Sequence, residues 1–225
     1  MNLFTYQMKK RNILFVVFLS FFLLSKASPS DSISSVYDDG EFKTFYETRL
    51  RVSNKVATDV ADYLITDFNN TPAHLFQWAF KDLGLQNKNN EVIIVVKSAS
   101  RDNKTGIMHG VFDVVVPHFT TFKDAKVDAI VTKTRYTNGT IKVNANIIYS
   151  SLLMKNALGT VTFIPQKNNE VLLVTNAKIK FGWFFNIFIT KKRYRSIIEW
   201  RIKKFAENLK TECERRKDTV VILNK

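Results

Sequence analysis

Along residues 141–149, Ile141, Val143, Ala145, Ile147 and Tyr149 alternate with Lys142, Asn144 and Asn146. A period of two with one apolar and one wet face predicts a strand. The same period recurs over residues 92–98, 106–116, 127–136, 141–153, 159–165 and 171–181. Turn-forming residues separate these runs at Asp102-Asn103-Lys104, Lys123-Asp124, Asn138-Gly139, Lys155-Asn156 and Lys167-Asn168-Asn169. Six strands joined by connections this short predict an antiparallel meander.

Upstream, Phe42, Tyr46, Leu50 and Val52 share one parity while Glu47, Arg49 and Arg51 take the other, which predicts a first strand over residues 42–52. The period then lengthens. Val56, Val60, Leu64 and Phe68 recur every four residues behind a cap at Asn54, the pattern of an amphipathic helix. Thr71 and Pro72 open a second short helix that carries Leu75, Phe76, Ala79, Phe80 and Leu83 and ends at Gly84. At the far end, Tyr194, Ile198, Ile202, Phe205, Leu209 and Cys213 form a stripe at spacings of three and four. This predicts one long helix over residues 194–216, with Lys203, Lys204, Lys210, Arg215 and Arg216 on its other faces.

Composition changes the picture mainly at the N-terminus. Lys9, Lys10 and Arg11 precede an apolar run over residues 13–24 broken by Ser20, and Ser25-Lys26-Ala27 follows. Charge, apolar run and small residues in that order read as an export signal cleaved after residue 27, and the run is too short for a spanning helix. Ser28 stands where a lipid-bearing cysteine would be, so the expected product is periplasmic or secreted and not a lipoprotein. Residues 28–40 (SPSDSISSVYDDG) have the composition of a flexible linker, residues 41–217 form the domain, and residues 218–225 a tail. The formal net charge is +14, of which residues 1–27 contribute four cations and no acid, leaving +10. The remainder suits one domain able to bury about 70% of its unfolded surface. With one cysteine, Cys213, it has no internal disulfide.

One strand, two short helices, six antiparallel strands and a long C-terminal helix is an element order that resembles the helix-grip fold of the START-like superfamily of polyketide cyclases, aromatase domains and lipid-transfer domains. The stretches that carry the resemblance best are residues 159–163 (GTVTF), 178–182 (KIKFG) and 198–205 (IEWRIKKF), with Asn208-Leu209-Lys210. It implies an α+β fold in which a curved antiparallel sheet of about seven strands grips the last helix around a cavity for an apolar small molecule or lipid. On this chain the cavity side is Val143, Ala145, Ile147, Tyr149, Phe163, Ala177 and Ile179, with Ile198, Ile202 and Phe205 from the helix. Apolar periodicity reports burial and not emptiness, so a solid core made by the same side chains is the alternative.

Little chemistry accompanies the pattern. No His pair has metal-ligand spacing, and no nucleotide fingerprint or cofactor motif occurs, so no metal and no cofactor is expected. His109 and Asp113 share a parity and are the acid and base nominees if the domain is a cyclase- or hydrolase-like enzyme. Cys213 has no base near it in sequence and reads as a small buried apolar residue. The densest aromatic run, Trp183, Phe184 and Phe185 with the cations Lys191, Lys192 and Arg193, suits peripheral contact with an anionic membrane. Buried seating of the last helix on the sheet is the competing account of those aromatics. Export argues against nucleic acid as a partner.

Overall fold

The structure, a computed structural model, describes residues 31–85, 92–151, 154–182 and 189–223, so the expected signal lies outside the described residues. Eight strands form one antiparallel sheet: β1 (Ser32–Asp38), β2 (Glu41–Leu50), β3 (Ile93–Arg101), β4 (Met108–Val116), β5 (Thr120–Arg135), β6 (Ile141–Ser150), β7 (Met154–Pro165) and β8 (Val171–Phe181). Their spatial order is β1-β2-β8-β7-β6-β5-β4-β3. The run from β3 to β8 has the order of the expected meander, but the turns expected at Lys123-Asp124 and Lys155-Asn156 fall inside β5 and β7, and β2 closes onto β8. Helix α1 (Asn54–Asn70) and a 3₁₀ helix (Pro72–Gln77) connect β2 to β3. The last element begins as α2 (Lys191–Tyr194), passes through a π-helical turn (Arg195–Glu199) and continues as α3 (Trp200–Leu223). The backbone is therefore helical beyond residue 217, where the sequence suggests a tail.

The segment expected to be a linker is a strand. β1 pairs with β2 from Ser32 opposite Glu47 to Asp38 opposite Glu41. Asp39 (φ 49°) and Gly40 (φ 72°) make the two-residue turn between them, and positive φ at both centres is what an Asp-Gly hairpin supplies. The strand escapes hydrophobic patterning because its buried residue is a serine. Ser35 and Thr44 share a hydroxyl hydrogen bond of 2.8 Å, Thr44 shares another of 2.8 Å with Tyr194, and Arg195 donates to the Ser35 carbonyl at 3.1 Å. A polar ladder thus ties β1 to the start of the last helix, beside Phe42 stacked on Tyr194 at 4.0 Å.

Helix α1 is capped one residue earlier than expected, by Ser53, whose hydroxyl accepts from the Val56 N–H at 3.3 Å. It buries Val56, Ala57, Val60, Ala61, Leu64 and Phe68. The following segment is a 3₁₀ turn because Asp67, itself buried, gathers it: Thr71 Oγ1 (3.2 Å), His74 Nδ1 (2.9 Å) and Trp78 Nε1 (2.7 Å) all donate to its carboxylate. A side chain satisfying three local donors competes with a regular helical ladder. Gly84 then meets β3 so closely that a Cβ there would lie 2.1 Å from the Ile94 carbonyl oxygen, and the Ile94 N–H donates to the Gly84 carbonyl at 2.9 Å.

The core lies where α1 and α3 cross the middle of the sheet. Ile202, Ala206, Leu209 and Cys213 pack with Val60, Leu64 and Phe68 of α1 and with Leu50, Val161, Phe163 and Leu173 of the sheet. Each large aliphatic side chain buried this way stabilises by about 1.5–3 kcal/mol. Polar groups at this end are closed: Asn208 donates to the carbonyls of Ala79 (3.1 Å) and Lys81 (2.9 Å). Buried Glu212 accepts from Arg215 (2.7 Å) and Arg216 (2.8 Å), and the Arg216 guanidinium lies 4.4 Å over the Tyr63 ring. Register shifts interrupt four strand pairs, β3-β4, β4-β5, β5-β6 and β7-β8, and bulges of this kind bend and twist a sheet around what it covers.

Candidate functional site

The start of the last helix is built differently from its end. Thr190 Oγ1 caps α2 by accepting from the Arg193 N–H at 3.2 Å. The π-helical turn then widens the helix, a local insertion that recurs at functional sites. The turn carries Ile197 and Ile198, and past it α-helical spacing resumes with Arg201, Ile202 and Phe205.

Two cavities border these residues. The larger, about 450 Å³, lies between the turn of the helix at Tyr194, Ile197, Ile198 and Arg201 and the sheet side chains Ile94, Val114, Val116, Met154 and Phe181. The β4-β5 turn, Pro117-His118-Phe119, forms its rim. The smaller, about 270 Å³, lies over Val143, Ala145, Val161, Thr175, Ala177 and Ile179, with Leu64, Phe68 and Phe80 opposite and Ile198, Ile202 and Phe205 above. Ile198 and Arg201 belong to both walls. Both walls are overwhelmingly apolar, and no Asp or Glu stands among the described residues that line them.

Seven of the ten residues expected to face a cavity do so: Val143, Ala145, Ala177, Ile179, Ile198, Ile202 and Phe205 line the smaller one. Phe163 does not, being wholly buried in the core. Ile147 and Tyr149 are on neither wall. Ala129 pairs with Ile147 and Asp128 with Tyr149, so Ile148 is an extra residue in β6 and the alternation breaks there. Tyr149 is left 51% exposed. Of the larger cavity only Ile198 was anticipated, since the sheet side of its wall comes largely from β3, β4 and the turn after β4.

The acid-base pair expected at His109 and Asp113 is not formed. His109 Nδ1 donates to Asp128 Oδ1 at 2.7 Å, whereas Asp113 accepts from the Asp124 N–H at 2.9 Å and lies 3.2 Å from Lys97 Nζ. Four residues along a strand separate the two side chains by about 13 Å. Neither lines a cavity. Among the described residues no group of three His, Cys, Asp or Glu side chains is placed to hold a metal ion, and no helix is long and apolar enough to cross a membrane. Of the expected membrane-contact residues, Trp183, Phe184 and Phe185 lie outside the described residues. Lys191 and Lys192 are exposed, and Arg193 is half-buried on the wall of the larger cavity.

Arg201 is the residue that sequence reasoning passed over. It is buried, with Nη1 donating to the Ile197 carbonyl (3.1 Å) and Nη2 to the Val92 carbonyl (2.9 Å). Its position gave a signal: it stands four residues after Ile197 and four before Phe205, inside the apolar stripe rather than opposite it.

An eight-stranded antiparallel sheet curved around a long C-terminal helix, with the cavities between them, decides the architecture. It is a helix-grip fold. The solved structures similar to this chain include a START superfamily protein from Mycobacterium smegmatis (11% identity over 79% of this chain and 98% of that one, TM-score 0.42). Truncated norcoclaurine synthase from Thalictrum flavum is another (14% identity, 80% and 96% covered, TM-score 0.43). A STAR-related lipid transfer protein from Xanthomonas axonopodis is a third (14% identity, 78% and 99% covered, TM-score 0.39). The sequence matches no protein-family model and no curated protein.

Proposed function

We infer that this helix-grip domain is an exported binding protein that holds an apolar or lipid-like molecule between its sheet and its C-terminal helix. The observation that carries the reading is the larger cavity: about 450 Å³ falls within the range of ordinary ligand sites, and its wall is apolar with a few polar groups at the edge. The smaller cavity extends the apolar surface along the same helix. Export is supported by the charged, apolar and small-residue order of residues 1–27. Approach to an anionic membrane is supported by exposed Lys191 and Lys192 on the short helix that borders the larger cavity.

Native mass spectrometry with organic extraction, applied to the protein recovered from the compartment it reaches, tests this reading. A stoichiometric apolar adduct that leaves on denaturation is the expected result. A clean protein mass that takes up neither lipid nor a hydrophobic dye would overturn it.

A further inference from the structure

We propose that the molecule held between sheet and helix is an amphiphilic anion, its oxyanion head, a carboxylate or a phosphate ester, received by Arg201 and its apolar part by the adjoining cavity. This rests on the apolar-ligand reading and names the class of ligand.

The argument begins with where the guanidinium stands. Arg201 is 9% exposed and belongs to the walls of both cavities. A guanidinium carries five N–H donors, and among the described residues two of them are accepted, by the carbonyls of Ile197 and Val92. Nε is buried with no acceptor. No carboxylate among the described residues pairs with the side chain, and burial alone pushes its pKa down to about 10. Buried cations are ordinarily paired, because an uncompensated one is costly. The pairing charge is therefore one the chain does not supply from these walls.

The surroundings select the sign and the shape of the missing partner. Arg193 lines the larger cavity and no Asp or Glu among the described residues does, so the wall carries positive and no negative charge. Arg presents a planar fork that matches carboxylate and phosphate oxygens. Thr175, 5% exposed and on the wall of the smaller cavity, has a hydroxyl that likewise meets no partner. Most of the remaining wall beside Arg201 is apolar: Ile94, Val114, Ile197 and Ile198 on one side, Ile202 and Phe205 on the other. A small inorganic anion would satisfy the guanidinium and leave those walls unused, whereas an anion on an apolar chain satisfies both.

The test is calorimetric titration of the full protein at neutral pH with four probes that share one chain, laurate, dodecyl phosphate, dodecanol and dodecylamine, alongside acetate and inorganic phosphate. Laurate and dodecyl phosphate are expected to bind at least about tenfold tighter than dodecanol or dodecylamine, the scale of a hydrogen bond to a charged group. Arg201→Met is expected to bring them to the affinity of the alcohol, and Arg201→Lys to retain part of the preference. Equal binding of all four chains would overturn the anion while leaving an apolar site in place. Binding of none of them would overturn both readings, and acetate or inorganic phosphate binding as tightly as the chain-bearing probes would overturn the amphiphile in favour of a free anion. Should Arg201→Met fail to fold, the preference of the unmodified protein among the four chains still decides.

Discussion

The two halves of the last helix face the same sheet and are built to opposite standards. From Ala206 to Cys213 the helix buries Ala206, Leu209 and Cys213 completely, and its polar neighbours Asn208 and Glu212 are engaged in hydrogen bonds. From Tyr194 to Phe205 it borders two cavities, passes through a π-helical turn and carries a guanidinium whose buried Nε has no acceptor. Stability and openness are thus assigned to different ends of one element. Well-packed groups elsewhere tolerate a loosely packed, partly unsatisfied site, as functional sites commonly require.

The contrast is tested hardest by truncating one side chain in each half. Leu209→Ala should cost about 3 kcal/mol, because a wholly buried leucine leaves a new cavity in a packed core. Ile197→Ala should cost at most about half as much, since Ile197 already borders open volume. Urea unfolding of both variants measures the difference, and equal losses would show that the cavity half is packed as tightly as the core. Gly84→Ala comes next, at about 2 kcal/mol, from forcing a methyl into the Ile94 carbonyl. Because Ile94 is on the larger cavity, that variant also asks whether the wall is held in place from the dense side, read as a change in hydrophobic-dye uptake.

Smaller effects probe the seams. Ser35→Ala removes the first rung of the ladder from β1 to Tyr194 and should cost about 1 kcal/mol. Hydrogen exchange should then quicken in β1 before it does in α3. Alkaline pH should weaken both halves at once. Burial raises the Tyr194 phenol from 10.0 to about 12 and the Cys213 thiol from 9.0 to about 12. Each stays protonated in the fold where the unfolded chain would ionise. The unfolded chain therefore holds fewer protons, and the contribution of each group is complete below its ordinary pKa and lost as pH rises through about 12. Urea midpoints taken from pH 9 to 12 should fall, and less steeply in Tyr194→Phe.

How legible this was in the sequence follows the same division. The dense half was readable because its side chains are apolar at helical and strand periods: Val56, Val60, Leu209 and Cys213 sit where the periods put them. The meander was readable for the same reason, and strand β8 matches its expected bounds, residues 171–181. What failed was whatever periodicity does not encode. Strand β1 buries a serine held by hydrogen bonds, so a composition reading took it for a linker. The extra residue at Ile148 inverts the alternation of β6, which a strict count of two carries straight past, and Tyr149 was placed on the wrong face as a result. The 3₁₀ turn follows from Asp67 collecting donors at positions 71, 74 and 78, a three-dimensional event. Arg201 was overlooked because a cation on a helix is ordinarily a solvated one.

Cys213 sits at the centre of the dense half, wholly covered by the packing of α3 on its neighbours. As the one sulfhydryl in the chain, held protonated by its surroundings, it is out of reach of an oxidant, an alkylating reagent or a second copy of the protein for as long as the helix stays down. Each excursion that lifts the helix exposes it. The rate at which a reagent consumes that sulfur is therefore a clock for the opening of the grip.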